Sequence, residues 1–227
     1  YRSSEITTKL YSTSFSFGIK ALDRELHKQI YAIYGFVRLA DEIVDTFHDF
    51  DKETLLLKFK HDTYEAIKER ISLNPILNSF QDVVNSYNID LDLVDTFISS
   101  MEMDLNPTTY DESKYEKYIL GSAQVVGLMC LKVFLNGNEI QYNVLKPHAM
   151  SLGSAFQKIN FLRDIKADYS NLGRTYFPNV DMNTFSSEDK VLIERDIQKD
   201  FGHALIGIKK LPKSSRAGVY LTYVYYY

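Results

Sequence analysis

From Leu26 the apolar series Ile30, Ile33, Val37, Ala40, Val44, Phe47 advances by alternating steps of four and three, the spacing of a helix with one buried stripe. The same three-and-four spacing, with no strand-like alternation, predicts further helices over Lys52–Leu73, Pro75–Tyr87, Asp90–Leu105, Tyr115–Leu135, Tyr142–Tyr169, Ser187–Gly207 and from Ser214 onward. Asn74-Pro75, Asn106-Pro107, Asn136-Gly137-Asn138 and Phe177-Pro178 supply breaks, and Ser186 with Asp189 three residues later predicts a helix start. Only 10 Gly and 5 Pro interrupt the 227 residues. No break has the composition of a domain linker and no fixed-period repeat is present, so the expectation is one all-α domain.

Two helices carry polar stripes beside their apolar ones. Tyr34, Arg38, Asp41 and Asp45 share a sector of roughly 60°, and Gln157, Asn160, Asp164 and Asp168 one of about 80°. Carboxylates one turn apart repel unless a cation lies between them, and Mg2+ takes such oxygen ligands while keeping water and substrate phosphate. The bland alternative is a solvated acidic face with Arg38 paired to Asp41 or Glu42. The recurrence of the pattern favours two helices facing each other across a cavity, where a metal cluster holds a diphosphate. Arg38, Arg163 and Arg174 add planar cations suited to phosphate, although a surface salt bridge is the plainer role for Arg163.

A net charge of -4 removes the simplest electrostatic case for nucleic acid. The single cysteine, Cys130, has no partner for an internal disulfide, which suits a reducing cytosolic setting. The apolar run from Val125 to Leu131 stops at Lys132, short of the roughly 18 residues a membrane span requires. The five histidines show no metal-ligand spacing.

Several long segments then resemble one family: Tyr11-Ser12-Thr13-Ser14-Phe15-Ser16, Ala32 to Arg38 followed by Asp41-Glu42-Ile43-Val44-Asp45, Gln157 to Asp168, Arg174 to Pro178, and Val219 to Tyr225. Together they resemble a squalene/phytoene synthase, most like a bacterial phytoene synthase, over nearly the whole chain. The resemblance implies the class I isoprenoid synthase fold, a single-domain helical bundle around a central cavity. It implies head-to-head joining of two prenyl diphosphates through a cyclopropyl diphosphate, with Mg2+ (or Mn2+) bound by Asp41, Asp45, Asn160, Asp164 and Asp168. It also implies a flap containing Ser12 and Ser14, a substrate shell of Phe15, Tyr34, Arg38, Gln157, Asn160, Arg163, Arg174, Tyr176 and Tyr225, and a site-proximal Asp104. Relative to a typical member, residues 1–227 are expected to lack the N-terminal start and the last helix or two. Leu120 stands where the family commonly has a tyrosine.

Within that resemblance, phytoene from geranylgeranyl diphosphate is the expected product. The alternatives are squalene or dehydrosqualene from farnesyl diphosphate, with NADPH needed only for squalene, or a catalytically lapsed member that binds prenyl lipids. A greasy product implies a peripheral membrane contact for its release, and the sequence does not fix an oligomeric state. Gly121, Ser122, Ala123 and Gly127 offer either a surface for a prenyl chain or close helix packing. Tyr31, ten residues before Asp41 and so about 15 Å down the helix, is expected to floor the prenyl pocket; its alternative is to pack against a neighbouring helix.

Overall fold

The computed structural model describes residues 1–105, 111–172, 177–178 and 185–227, without the side chains of residues 13, 14 and 165–172. The described residues form helices and connecting turns: α1 (Arg2–Tyr11), α2 (Thr13–Lys20), α3 (Arg24–Asp45), α4 (Lys52–Glu69), α5 (Pro75–Ser86), α6 (Leu91–Leu105), α7 (Glu112–Ile119), α8 (Val125–Leu135), α9 (Glu139–Leu172), α10 (Ser187–Ile208) and α11 (Lys213–Tyr226). A π-helical turn, Leu120–Gln124, joins α7 to α8. The all-α expectation is met.

Local chemistry fixes most boundaries. Asp51, Asn74 and Asp111 each accept a backbone N–H of the first turn they cap, and Pro75 begins α5 where its missing N–H costs nothing. Ser186 and Asp189 form the expected reciprocal capping box. Asn136 and Gly137 turn the chain after α8 with φ of 46° and 80°.

Helices α1 and α2 were not expected from the apolar pattern, because the face α1 buries is polar. Ser4 and Thr8 are fully buried: the Ser4 and Ser79 hydroxyls meet at 2.8 Å, and Thr8 Oγ1 donates to the Ser4 carbonyl at 2.8 Å. A Cβ added to Gly35 would come within 2.7 Å of Ser4 Cβ, so α1 lies directly on α3 at that glycine.

One core cluster joins α3, α4, α5, α6 and α8 around Phe36, whose ring stacks on Phe80 at 3.7 Å between centroids. A second joins α7, α9, α10 and α11 around Phe161, Phe201 and Tyr223. A third, with Leu128, Leu131, Leu135, Tyr142, Leu145 and Leu211, closes one end. The continuous helix Glu112–Leu135 is long and apolar enough to cross a membrane, a span the sequence pattern had cut short at Lys132. It packs inside the bundle, with Leu128, Met129 and Leu131 buried.

Candidate active site

Between the first two core clusters lies a cavity of about 330 Å³, within the usual range for a small-molecule site. Its walls are apolar: Ile30, Ile33 and Val37 from α3, Phe97 and Met101 from α6, Val126 and Cys130 from α8, and Leu152 and Phe156 from α9. At one end the lining becomes polar, with Arg38, Asp41, Gln157 and Asn160.

Asp41 stands eleven residues beyond Ile30, about 16 Å along α3, and Asn160 fifteen beyond Leu145, about 22 Å along α9. Both helices therefore run toward the polar mouth. They present their polar stripes there because Val37 and Phe156, one position from Arg38 and Gln157, face the apolar wall. Lys158 holds α9 in this orientation through ion pairs to Asp196 and to Asp200, the latter at 2.8 Å, on α10.

The two stripes repeat one plan: inner polar groups line the mouth, and a carboxylate sits one turn further out. On α3 the outer group is the exposed Asp45; on α9 it is Asp164, which Arg163 grips through both carboxylate oxygens at 2.7 and 2.8 Å. Arg38 pairs with Asp41 and Glu42, as the bland alternative had it, and its guanidinium lies 4.3 Å over the Tyr11 ring. These pairs leave the acidic end of α3 undercompensated. Burial, with the nearby Asp45 charge second, pushes the Asp41 carboxyl up to about 6 despite Arg38. The last turn of α3 holds no basic residue, so the negative end of the helix dipole adds to the same field.

This donor set fits a hard cation. Asp41, Asp45, Asn160 and Asp164 supply carboxylate and amide oxygens, and Mg2+ is commonly held by one or two carboxylates with substrate phosphate completing its shell. The buried Nε–H of Arg38 finds no acceptor among the described residues, a free donor beside the mouth that suits an anionic oxygen. Elsewhere, His61, Asp62 and Glu65 bring potential ligand atoms within 4.8 Å of one another on α4. That helix does not line the cavity.

Aromatic rings flank the mouth. Ser12 caps α2, receiving the Phe15 N–H at 3.3 Å, and a hydrogen bond from Ser12 partly offsets the burial that raises the Tyr34 hydroxyl pKa. The Phe15 ring lies 5.5 Å from Tyr34 and 6.3 Å from Phe156. Asp104 is buried and accepts the Tyr118 hydroxyl at 2.9 Å, so Tyr118 lines the cavity with its ring held from behind.

Three expected substrate-shell residues lie off the lining. Tyr31 does not line the cavity: its ring packs edge-on against His27, with Lys9 above it, because α1 covers that face of α3. Tyr225 is 71% exposed, and Tyr226, one helical step round, is the tyrosine beside the mouth, 4.5 Å from Phe156 and 6.3 Å from Phe15. Arg163 is also exposed and off the lining, in the surface ion pair that was its plainer role. The side chains of Asp168 and Ser14, and residues Arg174 and Tyr176, lie outside the described residues.

Among the small residues, Ser122, Ala123 and Gly127 line the cavity. Gly121 serves helix packing, since a Cβ there would fall 2.7 Å from the Thr96 carbonyl oxygen. Leu120 opens the π-helical turn and packs on the first core cluster, whereas Tyr118, two residues earlier, reaches the cavity. Sequence reasoning passed over Tyr118 and Tyr226; the pairing of Tyr118 with a buried Asp104 joins two helices and has no local sequence signal.

Parallel helices that bring two acidic stripes to the mouth of an apolar cavity define an all-α isoprenoid synthase fold. The crystal structure of a squalene synthase from Alicyclobacillus acidocaldarius superposes with a TM-score of 0.84 at 20% identity, covering 99% of this chain and 89% of that one. A dehydrosqualene synthase structure gives 0.85 at 20% identity, covering 98% and 82%. The squalene/phytoene synthase family model matches residues 8–227, and the chain belongs to that family of head-to-head prenyltransferases. The 4,4'-diapophytoene synthase of Staphylococcus haemolyticus is 27% identical over 199 residues, 85% of this chain and 67% of that protein. The phytoene synthase of Mycobacterium bovis is 25% identical over 189 residues, 81% of this chain and 59% of that protein. The presqualene diphosphate synthase of Rhodopseudomonas palustris is 26% identical over 173 residues, 74% of this chain and 58% of that protein. The chain thus spans about three-fifths to two-thirds of the length of these relatives.

Proposed function

We propose that the chain joins two prenyl diphosphates head to head through a cyclopropyl diphosphate, with two molecules of geranylgeranyl diphosphate giving phytoene. The observation that carries this reading is a cavity whose polar groups Arg38, Asp41, Gln157 and Asn160 gather at the C-terminal halves of α3 and α9, and whose remaining lining is mostly apolar, with Ser122, His148 and Thr222 among the polar side chains there. A diphosphate with a long hydrocarbon tail has the same two-part character.

Asp41, Asp45, Asn160 and Asp164, with Asp168 by family resemblance, would hold Mg2+, which supplies charge neutralisation for the departing diphosphate when bound. Arg38 donates to the diphosphate oxygens from the mouth. Gln157 contributes a neutral polar contact beside it. As the carbon–oxygen bond breaks, the electron pair leaves with the diphosphate and positive charge grows on the allylic carbons. Tyr34, Phe15 and Phe156 surround the space just inside the mouth, where their rings exclude water and present electron-rich faces to that charge. Tyr118, its hydroxyl bonded to Asp104, adds a further ring to the lining.

The test is incubation of purified protein with Mg2+ and either geranylgeranyl or farnesyl diphosphate, with NADPH added last and products separated by chromatography. Phytoene from the longer substrate supports the reading. Farnesyl-derived dehydrosqualene, or squalene appearing with NADPH, replaces the substrate assignment but keeps the chemistry. Binding of both diphosphates without any product contradicts it and leaves a prenyl-lipid-binding role.

A further inference from the structure

The end of the cavity remote from the mouth is closed by a thin wall. Leu145 lines the cavity on one side and, on the other, a surface depression of about 390 Å³ bounded by Ile140, Gln141, Val144 and Lys210. Leu145 is only 2% exposed and packs in the cluster with Leu211, so one layer of side chains separates the two hollows. On the outer rim Ile140 and Val144 are exposed. Gln141 bridges the rim, its Nε2 donating to the Lys210 carbonyl at 3.2 Å.

The backbone of this wall is also weakened. Pro147 lies inside α9 and has no N–H for the Asn143 carbonyl, so the turn that carries Leu145 lacks one bond of the helical ladder. The far end of the cavity is thus closed by one layer of side chains, carried on a helical turn that lacks one ladder bond.

We propose that Leu145 is the end-stop of the cavity and that its size sets the length of prenyl chain the site accepts; this rests on the reading that the cavity holds a prenyl tail with its diphosphate at the mouth. A tail laid along α9 from Asn160 meets Leu145 last, about 22 Å away. A chain longer by one isoprene unit collides with Leu145, and a shorter one leaves the end empty. Apolar walls discriminate by about 10- to 200-fold per methylene-sized misfit. Leu145→Ala joins the cavity to the depression behind it, whereas Leu145→Phe moves the wall inward.

The experiment titrates the purified chain, with Mg2+, with unreactive farnesyl, geranylgeranyl and geranylfarnesyl thiodiphosphates, and measures kcat/KM for the corresponding diphosphates. Wild type, Leu145→Ala, Leu145→Phe and the surface control Ile140→Ser are compared, each with a thermal melt. The end-stop predicts that Leu145→Ala shifts both affinity and kcat/KM ratios toward the longer chain by about tenfold or more. It predicts the opposite shift in Leu145→Phe and none in Ile140→Ser. Where the alanine variant does not fold, the phenylalanine variant, which keeps the position apolar and filled, decides the matter. Unchanged ratios in folded Leu145 variants of a wild type that binds and turns over these substrates overturn the end-stop alone. A wild type that binds none of the three thiodiphosphates overturns the prenyl reading and the end-stop with it.

Discussion

At Asp41, burial first, then the Asp45 charge and the negative dipole end of α3, oppose ionisation, with Arg38 as the counterweight. Asp41→Asn and Asp164→Asn are each expected to lose turnover by more than the roughly 10- to 100-fold typical of losing an outer-shell metal partner, while keeping the wild-type melting temperature. Added Mg2+ should restore part of the loss; wild-type rates for both variants at limiting Mg2+ would return these stripes to a solvated acidic face. Tyr31→Ala is expected to lower stability by about 3–5 kcal/mol, as buried aromatic truncations do, without changing the preference between farnesyl and geranylgeranyl diphosphate. Paired melts and kcat/KM ratios check it. The inner stripe residues were legible because three-and-four spacing puts Arg38 and Asp41 on the same face as Tyr34. Tyr31 was misplaced because its angular nearness to Tyr34 says nothing of α1, whose contact at Ser4 and Gly35 decides which side of α3 is covered.

Helices α2 and α11 cross at two glycines that also line the cavity. A Cβ on Gly218 would fall 2.5 Å from the Gly18 carbonyl oxygen, and one on Gly18 would fall 2.0 Å from Thr222 Oγ1. Gly218→Val should therefore push α11 off α2 and cost about 1–3 kcal/mol of overpacking, read as a lowered denaturant midpoint. A midpoint equal to wild type would mean that the crossing is looser than its geometry. At the α9–α10 seam, the His148 and His203 rings lie 4.3 Å apart, His148 Nδ1 pairs with the His203 carbonyl at 2.9 Å, and Ser151 meets His203 Nδ1 at 2.8 Å. Burial depresses the His148 pKa below its ordinary value of 6.5, opposed by the bond to the His203 carbonyl and helped by the neighbouring His203 and Lys210 side chains. A depressed folded value favours the neutral ring, so this contribution to stability is complete above 6.5 and is lost as pH falls through the folded value. Melts between about pH 7.5 and 5.5 should fall more steeply for wild type than for His148→Gln; parallel profiles would remove the histidine from the seam's pH response. The long elements α3, α9 and α10 were readable from periodicity and caps. Helix α1 was not, since buried Ser4 and Thr8 leave no apolar period to read.

At the scale of the molecule, two core clusters are held apart by a cavity that neither fills, and the acidic stripes reach one mouth because α3 and α9 both run toward it. The sequence showed two stripes and, from their recurrence, a cavity between them; the Tyr118–Asp104 support of that cavity and its Leu145 wall depend on contacts between helices far apart in the chain. The central claim is that one ligand spans this space, charged end at the acidic mouth and hydrocarbon end against the far wall. A crystal structure with Mg2+ and geranylgeranyl thiodiphosphate tests it most directly. The account predicts the diphosphate between Arg38, Asp41 and Asn160, with the tail running past Val37 and Leu152 toward Leu145; a diphosphate bound elsewhere, or a tail lying outside the bundle, would contradict it.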